Sequence, residues 1–176
     1  MKGHDTLSDQ WDVLTRWRTY EKALCSDVTK AYYSLKTGEL EKHVRRVCWR
    51  YGNSNEEWRI FGFNTVSFGD RPAAAFLEIA IRRTASLNQH IDPLAATRIT
   101  EDRYVDDLST GGSPSEVDRF MGKSTVDLQQ DGTIPQILAK GSLRLKVMVS
   151  SGESNPLKLK KIDSKILGLG WNPPVD

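Results

Sequence analysis

The residues best suited to chemistry lie in RITEDRYVDDLSTGG, residues 98–112, where four carboxylates fall within seven positions and the last two, Asp106 and Asp107, are adjacent. Neighbouring carboxylates repel and raise each other's pKa unless a cation neutralises them. Tyr104 and Val105 precede the pair, and Gly111-Gly112 follows as a turn signal. The carboxylates are therefore expected at or near a hairpin bend between Arg103 and Leu108. Side chains alternate faces along a strand, but a bend can bring two neighbours toward one ion. Two carboxylates seldom hold two divalent ions alone, so a third ligand is expected from elsewhere. Asp27 is the candidate: it ends the apolar run KALCSD, residues 22–27, just before a turn into TKAYYSL. Hard oxygen ligands of this kind suit Mg²⁺ or Mn²⁺, and a pair of such ions serves in-line displacement at phosphorus. On YVDD alone a competing reading stands, an exposed hairpin whose acids only solubilise it, because Asp is common in turns.

These residues need elements to hold them, and the pattern is mixed helix and strand. Trp11, Leu14, Trp17 and Arg18 fall at helical spacing, which predicts a helix over 8–20. Residues 44–51 and 57–67 are rich in β-branched and aromatic residues and flank GNSNE, as a hairpin does. The Ala-rich stretch 73–88 after Pro72 predicts a helix, and Pro93–Glu101 a second. Glu101 and Asp102 then read as that helix's solvated end. Ser113-Pro114-Ser115-Glu116 has the form of a capping box opening a helix that runs to about Lys123. Thr133-Ile134-Pro135 starts another, stopped by Gly141. LRLKVMV, 143–149, alternates apolar and basic like a half-exposed strand, and ILGLGW, 166–171, reads as one last strand broken by glycines.

Composition bounds the class. With 176 residues, 38% hydrophobic and 27% charged, the chain suits one domain with a well-solvated surface. No apolar run is long enough to span a bilayer, and the N-terminus lacks the apolar core of a signal peptide. Cys25 and Cys48 have no metal or redox spacing and read as reduced, buried thiols of an intracellular protein. The net charge of +2 is unevenly spread: +3 over 1–89, −5 over 90–132 and +4 over 133–176. An acidic middle between basic ends suits a metal site within a polyanion-binding surface. Ordinary fluctuation of charge along a chain accounts for it equally well. His43 and His90 read as surface residues, and Tyr33 as a core aromatic.

Five blocks in order carry a resemblance over nearly the whole chain: CSDVTKAYYSL, VSFGDRPAAAFLEIAI, YVDD, GSLRLKVMVSSGE and ILGLGWNPPVD. Together they resemble the palm of a reverse transcriptase, and in wording they are similar to the BEL/Pao class of long-terminal-repeat retrotransposons. The resemblance implies an α+β fold, a polymerase palm whose antiparallel sheet packs on helices, with a small fingers-like β-hairpin at 41–68. It implies a single truncated domain over 1–176, without complete fingers or a thumb. The activity implied is RNA-directed DNA polymerisation by template-directed nucleotidyl transfer with two Mg²⁺ (or Mn²⁺) ions. The implied partners are an RNA or DNA template-primer, a deoxynucleoside triphosphate, and in cis a thumb, a ribonuclease H and an integrase domain, with no membrane. The implied location is cytoplasmic, in the particle of a retroelement, or nuclear, and not secreted.

Residue by residue, Asp27, Asp106 and Asp107 match the catalytic carboxylates and metal ligands, with Val28 beside them at the metal. Tyr32 matches the aromatic under the incoming sugar that excludes a 2′-hydroxyl. Phe68 and Gly69 match the nucleotide-side loop, where many retroviral relatives have Gln in place of Phe68. Backbone amides from Val28 to Tyr32 would face the triphosphate, and Lys146 would be a triphosphate-side acid or base. Tyr104 would contact the primer terminus, and Gly168 and Trp171 belong to the block that grips the primer. Arg45, Arg46 and Arg50 read equally as phosphate contacts or a solvated face, and Lys158, Lys160, Lys161 and Lys165 as a general basic surface. Two other readings stay open. One is a catalytically silent remnant that folds and binds nucleic acid without polymerising. The other is a small α/β phosphohydrolase using the same acids in a closed pocket.

Overall fold

The structure is a computed structural model that describes residues 7–122, 132–146 and 148–151, with the backbone of 165–166 and 169–170. Helix α1 (Gln10–Thr19) is opened by Asp9, whose carboxylate accepts from the amides of Trp11 and Asp12. It leads into β1 (Lys22–Asp27) and a single 3₁₀ turn at Tyr32–Ser34. A short helix α2 (Glu39–Val44), absent from the sequence reading, precedes the hairpin of β2 (Arg46–Trp49) and β3 (Arg59–Gly62). Then come α3 (Ala73–Leu87) and α4 (Pro93–Glu101), the latter N-capped by Asp92. Strands β4 (Arg103–Tyr104) and β5 (Asp107–Gly112) follow, then α5 (Pro114–Met121) and α6 (Thr133–Lys140). Last are the two-residue strands β6 (Val149–Ser150), β7 (Lys165–Ile166) and β8 (Leu169–Gly170).

The main sheet runs in the order β4-β5-β1-β6, and each of its pairings is antiparallel. Alternation along β1 divides it between two cores. Leu24 joins Leu77, Ile81, Ile99, Leu108, Phe120 and Ile137 in the large cluster supplied by α3–α6. Cys25 points the other way and packs with Leu14, Trp17 and Val149. The chain is thus mixed helix and antiparallel sheet, with α1 on one face and the four later helices on the other. Among the described residues no helix is long and apolar enough to cross a membrane.

Several local expectations hold. The capping box of α5 has both of its reciprocal bonds, Ser113 Oγ accepting from the Glu116 amide and the Glu116 carboxylate from the Ser113 amide. Gly141 ends α6. Others fail for identifiable reasons. Gly111-Gly112 is no turn but the end of β5, in register with Ala23 and Lys22. A Cβ on Gly111 would lie 2.4 Å from the Lys22 carbonyl oxygen and 2.7 Å from Tyr20 Cβ, so this glycine serves close approach. The stretch 143–149 is not one alternating strand. Among its described residues, Leu145 bridges Val28 just past β1 and Val149 pairs with Cys25 as part of β6, while Met148 and Val149 are both buried. The backbone of 165–166 and that of 169–170 form two paired strands, β7 and β8, instead of one. Cys48 and Tyr33 are exposed, not buried, whereas Cys25 is buried. The β2–β3 hairpin is exposed along both strands, which accounts for the misplacing of Cys48.

Candidate functional site

β1 and β5 bring the carboxylates together. Asp27, the last residue of β1, is the direct cross-strand partner of Asp107, the first of β5. Both share the face of Cys25 and Ser109, opposite the side on which Leu24 and Leu108 meet the helices. Tyr104 pairs with Asp107 across the β4–β5 hairpin, so Val105 and Asp106 form its two-residue turn. Val105 has φ of 55°, a left-handed conformation that a β-branched residue rarely takes. The turn is tied to β1 by the Val28 amide, which donates to the Asp106 carbonyl oxygen at 2.9 Å.

The electrostatics are those of three acids with too few counter-charges. Burial, then the charge of Asp27, holds the Asp106 carboxyl above its ordinary value. Burial, then Asp106 and Asp27, pushes Asp107 up to about 6. Lys146 is the one cation that contacts the cluster among the described residues: its Nζ donates to Asp27 Oδ2, and its backbone amide donates to the Asp27 carbonyl oxygen at 2.7 Å. The bond to Asp27 raises the Lys146 ammonium. The other oxygen of Asp27, Oδ1, is buried with no hydrogen-bond partner. An orphaned buried carboxylate oxygen is a costly feature unless a cation or donor reaches it. The donor set, hard carboxylate oxygens beside that orphan, fits Mg²⁺ or Mn²⁺. The described residues nonetheless contain no group of three or more His, Cys, Asp or Glu already arranged to hold an ion.

An aromatic wall stands beside the acids. The Tyr32 and Phe68 rings meet edge to face at 5.0 Å, and Tyr33 meets the same Phe68 at 5.5 Å. Phe68 is 65% exposed, so its outer surface is open. Burial and then the charge of Asp106 raise the Tyr32 phenol, which places that ring within electrostatic reach of the carboxylates. The loop carrying Phe68 is fastened by the Val66 amide to the Leu35 carbonyl at 3.0 Å and by a bridge between Lys36 and Thr65. Gly69 has φ of 88°, and the space a Cβ would enter is empty, so its backbone is accessible there.

Other expected site residues stand differently. The amides of Val28 and Thr29 are taken, by the Asp106 and Arg144 carbonyls, and do not face an anion. The Val28 side chain is buried, so only its carbonyl could serve an ion. Gly168 and Trp171 lie outside the described residues, as do Lys158, Lys160 and Lys161 and the side chain of Lys165. Arg45 is engaged by Asp70 at 2.7 Å, and Arg50 lies 4.5 Å from the centre of the Trp58 ring. His43 and His90 are exposed.

Three neighbouring residues depart from the sequence reading: Asp102 was misplaced, and Glu78 and Arg103 were not singled out. Asp102 is not solvated but fully buried. It accepts from Arg16 Nε at 3.1 Å, Tyr20 Oη at 2.6 Å and Thr110 Oγ1 at 2.8 Å, with Arg98 at 3.6 Å. Glu78 and Arg103 form a buried ion pair under the YVDD turn. Helical spacing puts Glu78 in line with the core residues Leu77 and Ile81, which was a usable signal. Nothing in the spacing named its partner.

No family model and no curated protein matches this sequence. What the site does must be argued from its own geometry.

Proposed function

We propose that the chain is the palm of a reverse transcriptase, an RNA-directed DNA polymerase similar to those of BEL/Pao-type retrotransposons. The observation that carries this reading is the direct pairing of Asp27 with Asp107 on two central strands, with Asp106 in the adjoining turn. Asp27, Asp106 and Asp107 would hold the divalent ions, with the Val28 carbonyl beside them. Two bound Mg²⁺ ions would supply Lewis-acid activation of a primer 3′-hydroxyl and charge neutralisation at the leaving pyrophosphate. In this reading Tyr32 forms the floor for the incoming sugar, backed by Phe68 through their edge-to-face contact. Gly69 lets the backbone approach the nucleotide. Lys146, reaching Asp27 from the segment before β6, stands where a basic group could meet the triphosphate. Tyr104, beside Asp107, would touch the primer end. The β2–β3 hairpin corresponds to the fingers-proximal element, and template-primer and a deoxynucleoside triphosphate are the partners.

The test is primer extension on poly(rA)/oligo(dT) with Mg²⁺ or Mn²⁺, comparing the chain with its Asp106→Asn variant. Extension by the first and none by the second is expected; equal background from both refutes the polymerase reading. A second reading has an observation in its favour. Lys146 already neutralises Asp27, and no ready-made three-ligand group exists among the described residues. Both suit a silent remnant that binds nucleic acid without polymerising. Salt-sensitive duplex binding, unaffected by Asp106→Asn and without extension, is its signature.

A further inference from the structure

Two charged side chains occupy a place in the core that an apolar pair could fill. Glu78 and Arg103 are each only 1% exposed, and Arg103 heads the fully buried side chains of the described residues by size. A buried ion pair is seldom a better source of stability than well-packed hydrophobic residues of the same volume. Its geometry points to another use. Arg103 Nη2 donates to Glu78 Oε2, and Nη1 donates to the carbonyl oxygen of Val105. The second oxygen of Glu78 accepts from Arg82 Nε, one turn further along α3.

Val105 is the residue with φ of 55° at the head of the turn. A β-branched residue in that conformation persists only where its surroundings over-determine it. The turn meets that requirement with two consecutive carbonyls held by different elements. Arg103, anchored on α3 through Glu78, holds the carbonyl of Val105, and the Val28 amide at the end of β1 holds that of Asp106. The next side chains along the chain are the mutually repelling carboxylates of Asp106 and Asp107. A forked guanidinium suits this task because it can donate in two directions at once.

We infer that Glu78 and Arg103 are positioning residues, clamping the Val105–Asp106 turn so that Asp106 and Asp107 stay gathered against Asp27. The functional consequence rests on the proposed reading of these acids as ligands for divalent ions. The clamp itself can be tested without it.

The test uses the full chain with Glu78→Met and Arg103→Met combined, which removes both charges and leaves no uncompensated one in the core. Amide hydrogen exchange at Val28 reports the turn, with the α5 and α6 amides as the reference for overall stability. Val28 should exchange about tenfold faster relative to that reference, since local opening is freed from the global transition. Mn²⁺ affinity, measured by calorimetry, should weaken by about fivefold or more. Adding Val105→Asn, a residue at ease in the left-handed region, should restore slow exchange at Val28. Unchanged Val28 protection overturns the inference, and so does failure of the Asn rescue. Unchanged Mn²⁺ affinity, where the unaltered chain binds the ion, overturns it as well. If the unaltered chain binds no Mn²⁺, the ligand reading falls, and the exchange result alone decides the clamp.

Discussion

Replacing Asp107 by Asn should make the protein more stable at neutral pH while removing a candidate ligand. Folding moves this carboxyl from its ordinary 3.8 to about 6, through burial first and the charges of Asp106 and Asp27 next. The native state therefore holds the proton more tightly than the unfolded chain does. The associated stabilisation is complete below about pH 4 and is lost as pH rises through about 6. Each pH interval is worth about 1.4 kcal/mol, which sets an upper bound of about 3 kcal/mol at pH 8. Solvent reaches the partly exposed carboxylate, and screening reduces this to about 1–2 kcal/mol. In a domain of this size that is a rise in Tm of about 2–8 °C. The assay is urea and thermal unfolding of both forms in EDTA at pH 4 and pH 8. The variant should gain at pH 8, and the two forms should converge at pH 4. Equal stability at both pH values, or a variant weaker at pH 8, would refute the claim that the cluster stores charge repulsion.

Asp102→Asn keeps the side chain's shape but turns an amide toward donors from Tyr20 and Thr110 and strips Arg16 and Arg98 of their partner. Breaking a buried charged network of this kind should cost about 3–5 kcal/mol in urea unfolding, and a loss under about 1 kcal/mol would show that the network is dispensable. Lys146→Met removes a mostly exposed ammonium from Asp27, so stability should change little while Mn²⁺ binds about two- to fivefold more tightly in calorimetry. Weaker Mn²⁺ binding in that variant would show that Lys146 assists the ion instead of competing with it.

What could be read from the residues alone follows the range of the interaction involved. The capping box at Ser113 and the helix from Pro93 are local events, written in residues three or four apart, and both are present in the structure. The hairpin at YVDD was also placed, but partly on Gly111-Gly112 as a turn signal, and those glycines are strand. Asp102 was misread because a carboxylate at a helix end is solvated by default. Its burial depends on Arg16 and Tyr20, more than 80 residues earlier. Arg103 escaped for the same reason, its partner lying on α3. Gly111-Gly112 looked like a turn because glycine's absence of a side chain serves both tight bends and close strand approach. Only the position of the Lys22 carbonyl separates those two uses. Asp27 could be singled out beside the acidic pair, but its register against Asp107 is a property of the assembled sheet.

The order β4-β5-β1-β6 carries a consequence for how the molecule is made. β1 leaves the ribosome well before either of its sheet neighbours, β5 and β6. Asp27 meets Lys146 across 119 residues of chain, and the loops that close such contacts are slow to form. Until β5 and then β6 emerge, β1 exposes two unpaired edges and apolar residues on both faces. A nascent chain stalled before β5 should thus be sticky and devoid of the site, whatever the quality of its helices. Asp27 joins Asp106 and Asp107 only when β5 pairs with β1, so the proximity of the three carboxylates reports that this pairing has formed.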